Sequence, residues 1–206
     1  MKICITLDDV LRAKTLQVGK VYKKYIDSDI DLEALDLSTN DYSSIFGFKD
    51  THEWRKFLYD DYGFEIFGNA PCTEKGVNIT LNLWHISLED YDNDDEVIEL
   101  MLANPYEFNT SIPYTYFFLS KAATRIREAY FPLDSSTIWD KCDVLVTADP
   151  KLIEEKPDGK QCIRIKMPYN ETCEKADKTY DKLSDLLTDE GLLDELVGRY
   201  KKEKKQ

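Results

Sequence analysis

The sequence predicts an α/β fold, a mostly parallel sheet flanked by helices, and three observations carry the prediction. Short, nearly continuous apolar runs at residues 2–7, Asp143–Thr147 and Cys162–Lys166 read as strands buried on both faces. Segments with helical apolar spacing alternate with them, as crossover connections between parallel strands require. The first run ends in adjacent carboxylates, Asp8 and Asp9, and the carboxyl ends of such strands are where these sheets bind ligands.

Taken in order, the elements follow local rules. After the first strand, Asp8 or Asp9 is placed to cap a helix through about residue 26, with Val10, Val18, Val21, Tyr22 and Tyr25 at helical spacing. Residues 27–49 are polar and rich in Asp and Ser, and read as loops opening an insertion. Asp50 followed by Glu53 has capping-box logic, and Trp54, Phe57 and Leu58 make one apolar helix face. Tyr62–Phe67 is aromatic enough to be packed, and Val77–Ile86 alternates as a half-buried strand would. Glu89–Glu96 is an acidic, solvated loop without the Gly and terminal Glu of a calcium loop. Val97–Ala103 suits either a short helix or a strand. Tyr114–Leu119 is β-prone, and Ser120 is expected to cap a helix over Lys121–Tyr130. The Pro157-Asp-Gly159 turn precedes the third buried strand. From about Cys173 the tail reads as helical, with Tyr180, Leu183 and Leu187 on one face, an interruption at Gly191, and Leu192, Leu193, Leu196, Val197 and Tyr200 beyond it.

Composition narrows the function classes. The 206 residues are 42% hydrophobic and 33% charged, enough for a sizeable core under a solvated surface. A net charge of −13 argues against nucleic acid or anionic membrane as partner, because phosphate binding needs clustered Lys and Arg. The Lys201–Lys205 tail reads as a solvated helix end. Five scattered cysteines without a C-x-x-C pair fit reduced thiols in cytoplasm rather than a disulfide framework or a zinc site. Asp8 and Asp9 arrive before any apolar stretch long enough for a signal peptide, and no membrane span is expected. His52 and His85 lie far apart in the sequence and suggest no base beside a nucleophile, and no phosphate-binding glycine loop is present.

Four stretches form an ordered series. They are Lys2–Leu11, with Thr6, Asp8 and Val10; Phe117-Phe-Leu-Ser120-Lys; Cys142-Asp-Val-Leu-Val-Thr147-Ala148-Asp149-Pro; and Ile163–Asn170, which ends in Pro-Tyr-Asn. The series resembles the motifs of the haloacid dehalogenase (HAD) superfamily of phosphohydrolases, and more narrowly its 5′(3′)-deoxyribonucleotidases. The resemblance implies a HAD-like Rossmannoid core of residues 1–26 and 111–206, with a cap, residues 27–110, inserted between the first and second motifs. It also implies roles. Thr6 stands where the family has its nucleophilic, metal-binding Asp, and Asp8 at the general acid. Ser120 stands at the phosphate-binding hydroxyl, and Thr147 and Ala148 at the magnesium-binding acids. The third motif's Lys would be Lys121 or Lys141.

Magnesium prefers hard oxygen ligands, usually including a carboxylate, and a neutral Thr6 hydroxyl cannot serve as both nucleophile and anionic ligand. Losing one such element costs roughly 10²–10⁴-fold in rate. The expectation is therefore a catalytically inactive, nucleotidase-like protein without cofactor, working through a protein partner or self-assembly. From the resemblance, a phage structural protein is expected, placed in cytoplasm or virion. Two alternatives stay open. One is a magnesium-dependent nucleotidase with Asp8, Asp9 and Asp149 as non-standard ligands. The other is a nucleotide binder using Ser120, Thr6 and turn amides for phosphate, with cap aromatics such as Trp54, Tyr59 and Trp84 for the base. Asp8 and Ser120 can equally serve as plain helix caps.

Overall fold

In a computed structural model, which describes residues 1–89 and 97–203, the apolar run after Met1 forms β1 (Lys2–Thr6), buried from Ile3 onward. Parallel neighbours flank it on both sides: β2 (Glu99–Ala103), with Thr6 opposite Ala103, and β4 (Val144–Thr147), with Ile5 opposite Val146. Outside these lie β3 (Glu128–Tyr130), β5 (Gln161–Ile165) and β6 (Lys178–Tyr180), giving the order β3-β2-β1-β4-β5-β6 with every pair parallel. The order reverses direction at β1 and β4. In open α/β sheets the crevice beyond the carboxyl ends of the strands at such a switch point is the ligand site.

Helices cover both faces. Ile3, Ile5, Leu100, Leu102, Val144 and Val146 point to one side, against α4 (Val77–Glu89), α5 (Ile112–Ala122), α7 (Leu183–Leu187) and α8 (Leu192–Glu203). Cys4, Met101, Leu145 and Cys162 point to the other, against the 3₁₀ segment Ser135–Lys141 and α6 (Pro150–Glu154). That alternation is the period of two along an extended chain.

A separate cluster forms the cap. Val18 and Val21 of α1 (Lys14–Tyr25) pack with Phe46, Phe57, Leu58, Ile66 and Phe67. Short helices α2 (Tyr42–Ile45) and α3 (Thr51–Arg55) lead into π-helical turns at Lys56–Asp61 and Phe64–Gly68. Asp50 caps α3 by accepting from the Glu53 amide, while Glu53 accepts from the Lys49 amide.

Several expectations are corrected. Val77–Ile86 lies within a helix, because its buried residues are Val77, Leu81, Trp84 and Leu88, one 3.6-residue stripe. Tyr114–Leu119 is also helical: Pro113 opens α5, and Thr115, Phe118, Leu119 and Ala122 form its buried stripe. Ser120 therefore sits exposed in the last turns of a helix rather than at a cap, and β3 replaces the end of the helix expected after it. Val97–Ala103 resolves as β2, so the stretch 27–110 contains a central strand of the core as well as the cap. In the tail, residues 178–180 form an edge strand before the two helices. Neither Asp8 nor Asp9 is the N-cap of α1, which starts after Ala13 without a side-chain cap. Of the acidic cluster 89–96, residues 90–96 lie outside the described residues, as do 204–206 of the lysine-rich tail.

Candidate functional site

At the switch point, β1 ends in Thr6 and β4 in Thr147, both buried, and the Thr6 hydroxyl donates to Thr147 Oγ1 at 3.1 Å. Thr147 Oγ1 also accepts from the Asp149 amide at 3.0 Å. The chain then folds back tightly. The amides of Val10, Leu11 and Arg12 all donate to the Leu7 carbonyl, and the Asp9 amide donates to the Arg12 carbonyl at 2.7 Å. The Asp8 amide is taken by Asn104 Oδ1 at 3.1 Å. The turn amides expected to cradle a phosphate are thus used within the chain.

Below this turn lies a buried ionic cluster. Arg12 has no exposed surface; its Nε and Nη2 reach Asp8 Oδ1 at 2.8 and 2.6 Å. Nη2 also donates to Glu107 Oε1 at 2.6 Å, and Nη1 to Thr115 Oγ1 at 2.7 Å. The guanidinium lies 5.0 Å over the Phe67 ring. Asp8 Oδ2 accepts from Lys14 Nζ at 2.8 Å and Asn104 Nδ2 at 3.1 Å. Glu107, equally buried, accepts further from Asn104, Thr115 and Ser111. Two carboxylates thus meet two cations with the surrounding donors engaged, the condition under which burying charge is tolerable. Burial alone would raise the Asp8 pKa, but Arg12 and Lys14 outweigh it and hold the carboxyl well below its ordinary value. A carboxylate kept ionised in this way is a poor proton donor near neutral pH.

Above the turn, a cleft of about 320 Å³ opens between core and cap. Thr6, Asp8 and Lys14 line it from the core, and Trp54, Arg55 and Tyr59 from the cap. Tyr59 Oη donates across it to the Tyr106 carbonyl at 2.8 Å, and Arg55 lies 4.8 Å over the Phe108 ring. Asp9 and Tyr106, both on the lining, have positive φ (58° and 66°), a costly conformation for side-chain-bearing residues that tends to collect at functional sites.

The remaining candidates have separate partners. Asp9 accepts from the Thr15 amide and hydroxyl and from Tyr169 Oη, and burial pushes its pKa up. Asp149 caps α6 through the Lys151 and Leu152 amides, and burial raises its pKa too. Asn170 binds the carbonyls of Ala148 and Ile165, tying the ends of β4 and β5 together, which gives the Pro-Tyr-Asn run its structural meaning. Ser120, Lys121, Lys141, His52 and His85 do not line the cleft. Lys121 donates to the carbonyls of Gly68 and Ala70, and Lys141 faces the Tyr130 ring. Arg12, Lys14, Asn104 and Glu107 are the residues that sequence reasoning passed over. The signal was there: Arg12 follows Asp8 at i+4, and Asn104-Pro-Tyr-Glu107 follows an apolar run that turns out to be β2.

No family model and no curated protein sequence matches the chain. Among solved structures, a haloacid dehalogenase-like hydrolase from Burkholderia xenovorans LB400 superposes with a TM-score of 0.59 at 9% identity, covering 95% of this chain and 97% of that one. The chain shares the HAD-like fold. Hydrolases of this fold usually use magnesium. The donor set present here does not fit that ion: hydroxyls bond each other at the ends of β1 and β4, and Asp8 is satisfied by internal cations. Among the described residues, no three His, Cys, Asp or Glu side chains form a group able to hold a metal, and Asp8, Asp9 and Asp149 form no such group.

Proposed function

We propose that this HAD-like protein does not transfer phosphoryl groups and works by binding, with the core–cap cleft taking a planar anionic molecule of the nucleoside monophosphate class without a divalent cation. The observation that carries the reading is the occupation of Asp8: both its oxygens are held by Arg12, Lys14 and Asn104, and Thr6 offers only a hydroxyl beside it. Trp54, Tyr59 and Tyr106 supply aromatic surface to the cleft. Arg55, which has no side-chain hydrogen bond among the described residues, and Lys14, which donates to Asp8, supply the positive charge on a lining that also carries Asp9 and Asp149.

The test pairs two measurements on purified protein: hydrolysis of deoxynucleoside monophosphates with magnesium, and thermal stabilisation by the same compounds with and without it. The expected result is no turnover and a melting shift that magnesium does not alter. Magnesium-dependent turnover that disappears in Asp8→Asn, or no stabilisation at millimolar nucleotide, rejects the proposal.

A second reading, docking of a protein partner or self-assembly, is favoured by one observation. Ile79 and Leu83, one turn apart on α4, are 62% and 63% exposed. Sedimentation of the wild type against Ile79→Lys/Leu83→Lys checks it, and a monomer in both with no partner-dependent shift excludes self-assembly through that face.

A further inference from the structure

Charge is divided unevenly between the two walls of the core–cap cleft. The core wall carries three carboxyl groups, Asp8, Asp9 and Asp149, against one ammonium, Lys14. Arg12 and Glu107, paired at 2.6 Å, lie beneath that wall and offset each other. On the cap wall the one charged side chain is Arg55. Asp60 shares a neighbouring hollow with Arg55 but makes no ion pair with it among the described residues.

Hydrogen-bond donors follow the same division. At the core end, Thr6 donates to Thr147, Lys14 and Asn104 donate to Asp8, and the amides of residues 10–12 go to the Leu7 carbonyl. On the cap wall, Asn40, Thr51 and Arg55 have no side-chain hydrogen bond among the described residues. Thr51 and Arg55 stand four residues apart on α3, a spacing that puts them on one helix face. The Phe108 ring, 4.8 Å from the guanidinium, positions Arg55 without neutralising it.

Resting on the reading of the cleft as a nucleoside monophosphate site, we infer that Arg55, with Thr51 beside it, holds the phosphate. The ligand then lies with its anion against the cap and its sugar and base toward the core. A phosphate at the core end would meet three carboxyl groups and an ammonium already bound to Asp8. The hydroxyl and N–H donors of a nucleoside suit those acceptors better. At Arg55 the phosphate meets a guanidinium with no other anion on it, the side chain whose planar donor set matches phosphate.

The experiment is calorimetric titration of the full chain with thymidine 5′-monophosphate and with thymidine, both in EDTA. The ratio of the two affinities isolates the phosphate. It is expected to be about tenfold or more in the wild type and about one in Arg55→Gln. Arg55→Lys, which keeps the charge but not the planar donors, should fall between them. In Lys14→Gln the ratio should stay within about twofold of the wild type. Arg55 is exposed, so its replacement leaves the packing of the cap in place. A ratio that survives in Arg55→Gln overturns the inference; if it also collapses in Lys14→Gln, the ligand lies the other way round and the cleft is still a nucleotide site. A ratio near one in the wild type overturns it as well. Failure of the wild type to bind either compound removes the nucleotide reading itself, and the inference with it.

Discussion

Arg12 without its guanidinium would strand two buried carboxylates. Asp8 and Glu107 both lean on it, and removing one partner of a buried ion pair costs about 3–5 kcal/mol because the charge left behind is neither solvated nor matched. Arg12→Met is therefore expected to lower the urea-unfolding free energy by about that amount. Lys14→Met should cost less, since Lys14 retains some solvent exposure and Asp8 keeps Arg12. Equal losses in the two variants would show that the cluster is not organised around Arg12. The two neighbouring aspartates should also respond to pH with opposite sign. Asp8 has a lowered pKa in the fold, so its contribution is present above the unfolded carboxyl value of about 3.9 and fades as pH falls below it. Asp9 has a raised pKa, so ionising it costs stability as pH climbs from about 3.9 through its folded value. The stability difference between wild type and Asp9→Asn, followed from pH 3 to 7, should move in favour of the variant as pH rises. A flat difference would mean that Asp9 titrates as it does in the unfolded chain.

At the scale of elements, β1, β4 and β5 were legible because strands buried on both faces are spelled as unbroken apolar runs, which little else in a soluble chain imitates. α4 and α5 were not, and both failures have one cause. Val77, Ile79, Leu81 and Leu83 alternate like a strand, yet only the residues at 77, 81, 84 and 88 are buried, and the stripe becomes visible only over the full thirteen residues. The aromatic β-propensity of Tyr114–Leu119 likewise yielded to packing, as propensity does when one helix face has a core to meet. That misreading carried the phosphate hydroxyl to Ser120, whereas the polar residues after β2 are Asn104 and Glu107. At the site itself, the placing of Thr6 and Thr147 at the ends of two buried strands was legible, but nothing local reveals that Lys14 and Arg12 turn back onto Asp8. The helical reading of α4 has a sharp consequence. Ile79→Lys and Leu83→Lys should each change stability by no more than about 0.5 kcal/mol, while Leu81→Ala between them should cost about 2–5 kcal/mol. A half-buried strand would put all three on one face, and chemical denaturation of the three variants separates the cases.

Across the whole molecule, the cap and the sheet are two packed clusters that meet around the cleft. Tyr59 Oη to the Tyr106 carbonyl spans it directly, and Lys121 reaches from α5 to the carbonyls of Gly68 and Ala70. Arg12 contributes from beneath, through the Phe67 carbonyl and ring. If ligand entry requires the cap to lift, the Tyr59 bond must break, because it crosses the opening together with the contacts of Tyr59 and Arg55 to the Phe108 ring. Tyr59→Phe keeps the ring, and with it the stacking on Phe67 at 5.3 Å, and removes only the hydroxyl. A single neutral hydrogen bond is worth about 0.5–1.5 kcal/mol. The expected effect is thus a small loss of global stability and a selective rise in amide exchange over residues 42–68, with β1 and β4 as protected as before. Uniformly faster exchange would mean that cap and core open as one cooperative unit. In that case the cleft is a fixed feature of the fold, and anything bound there must enter without displacing the cap.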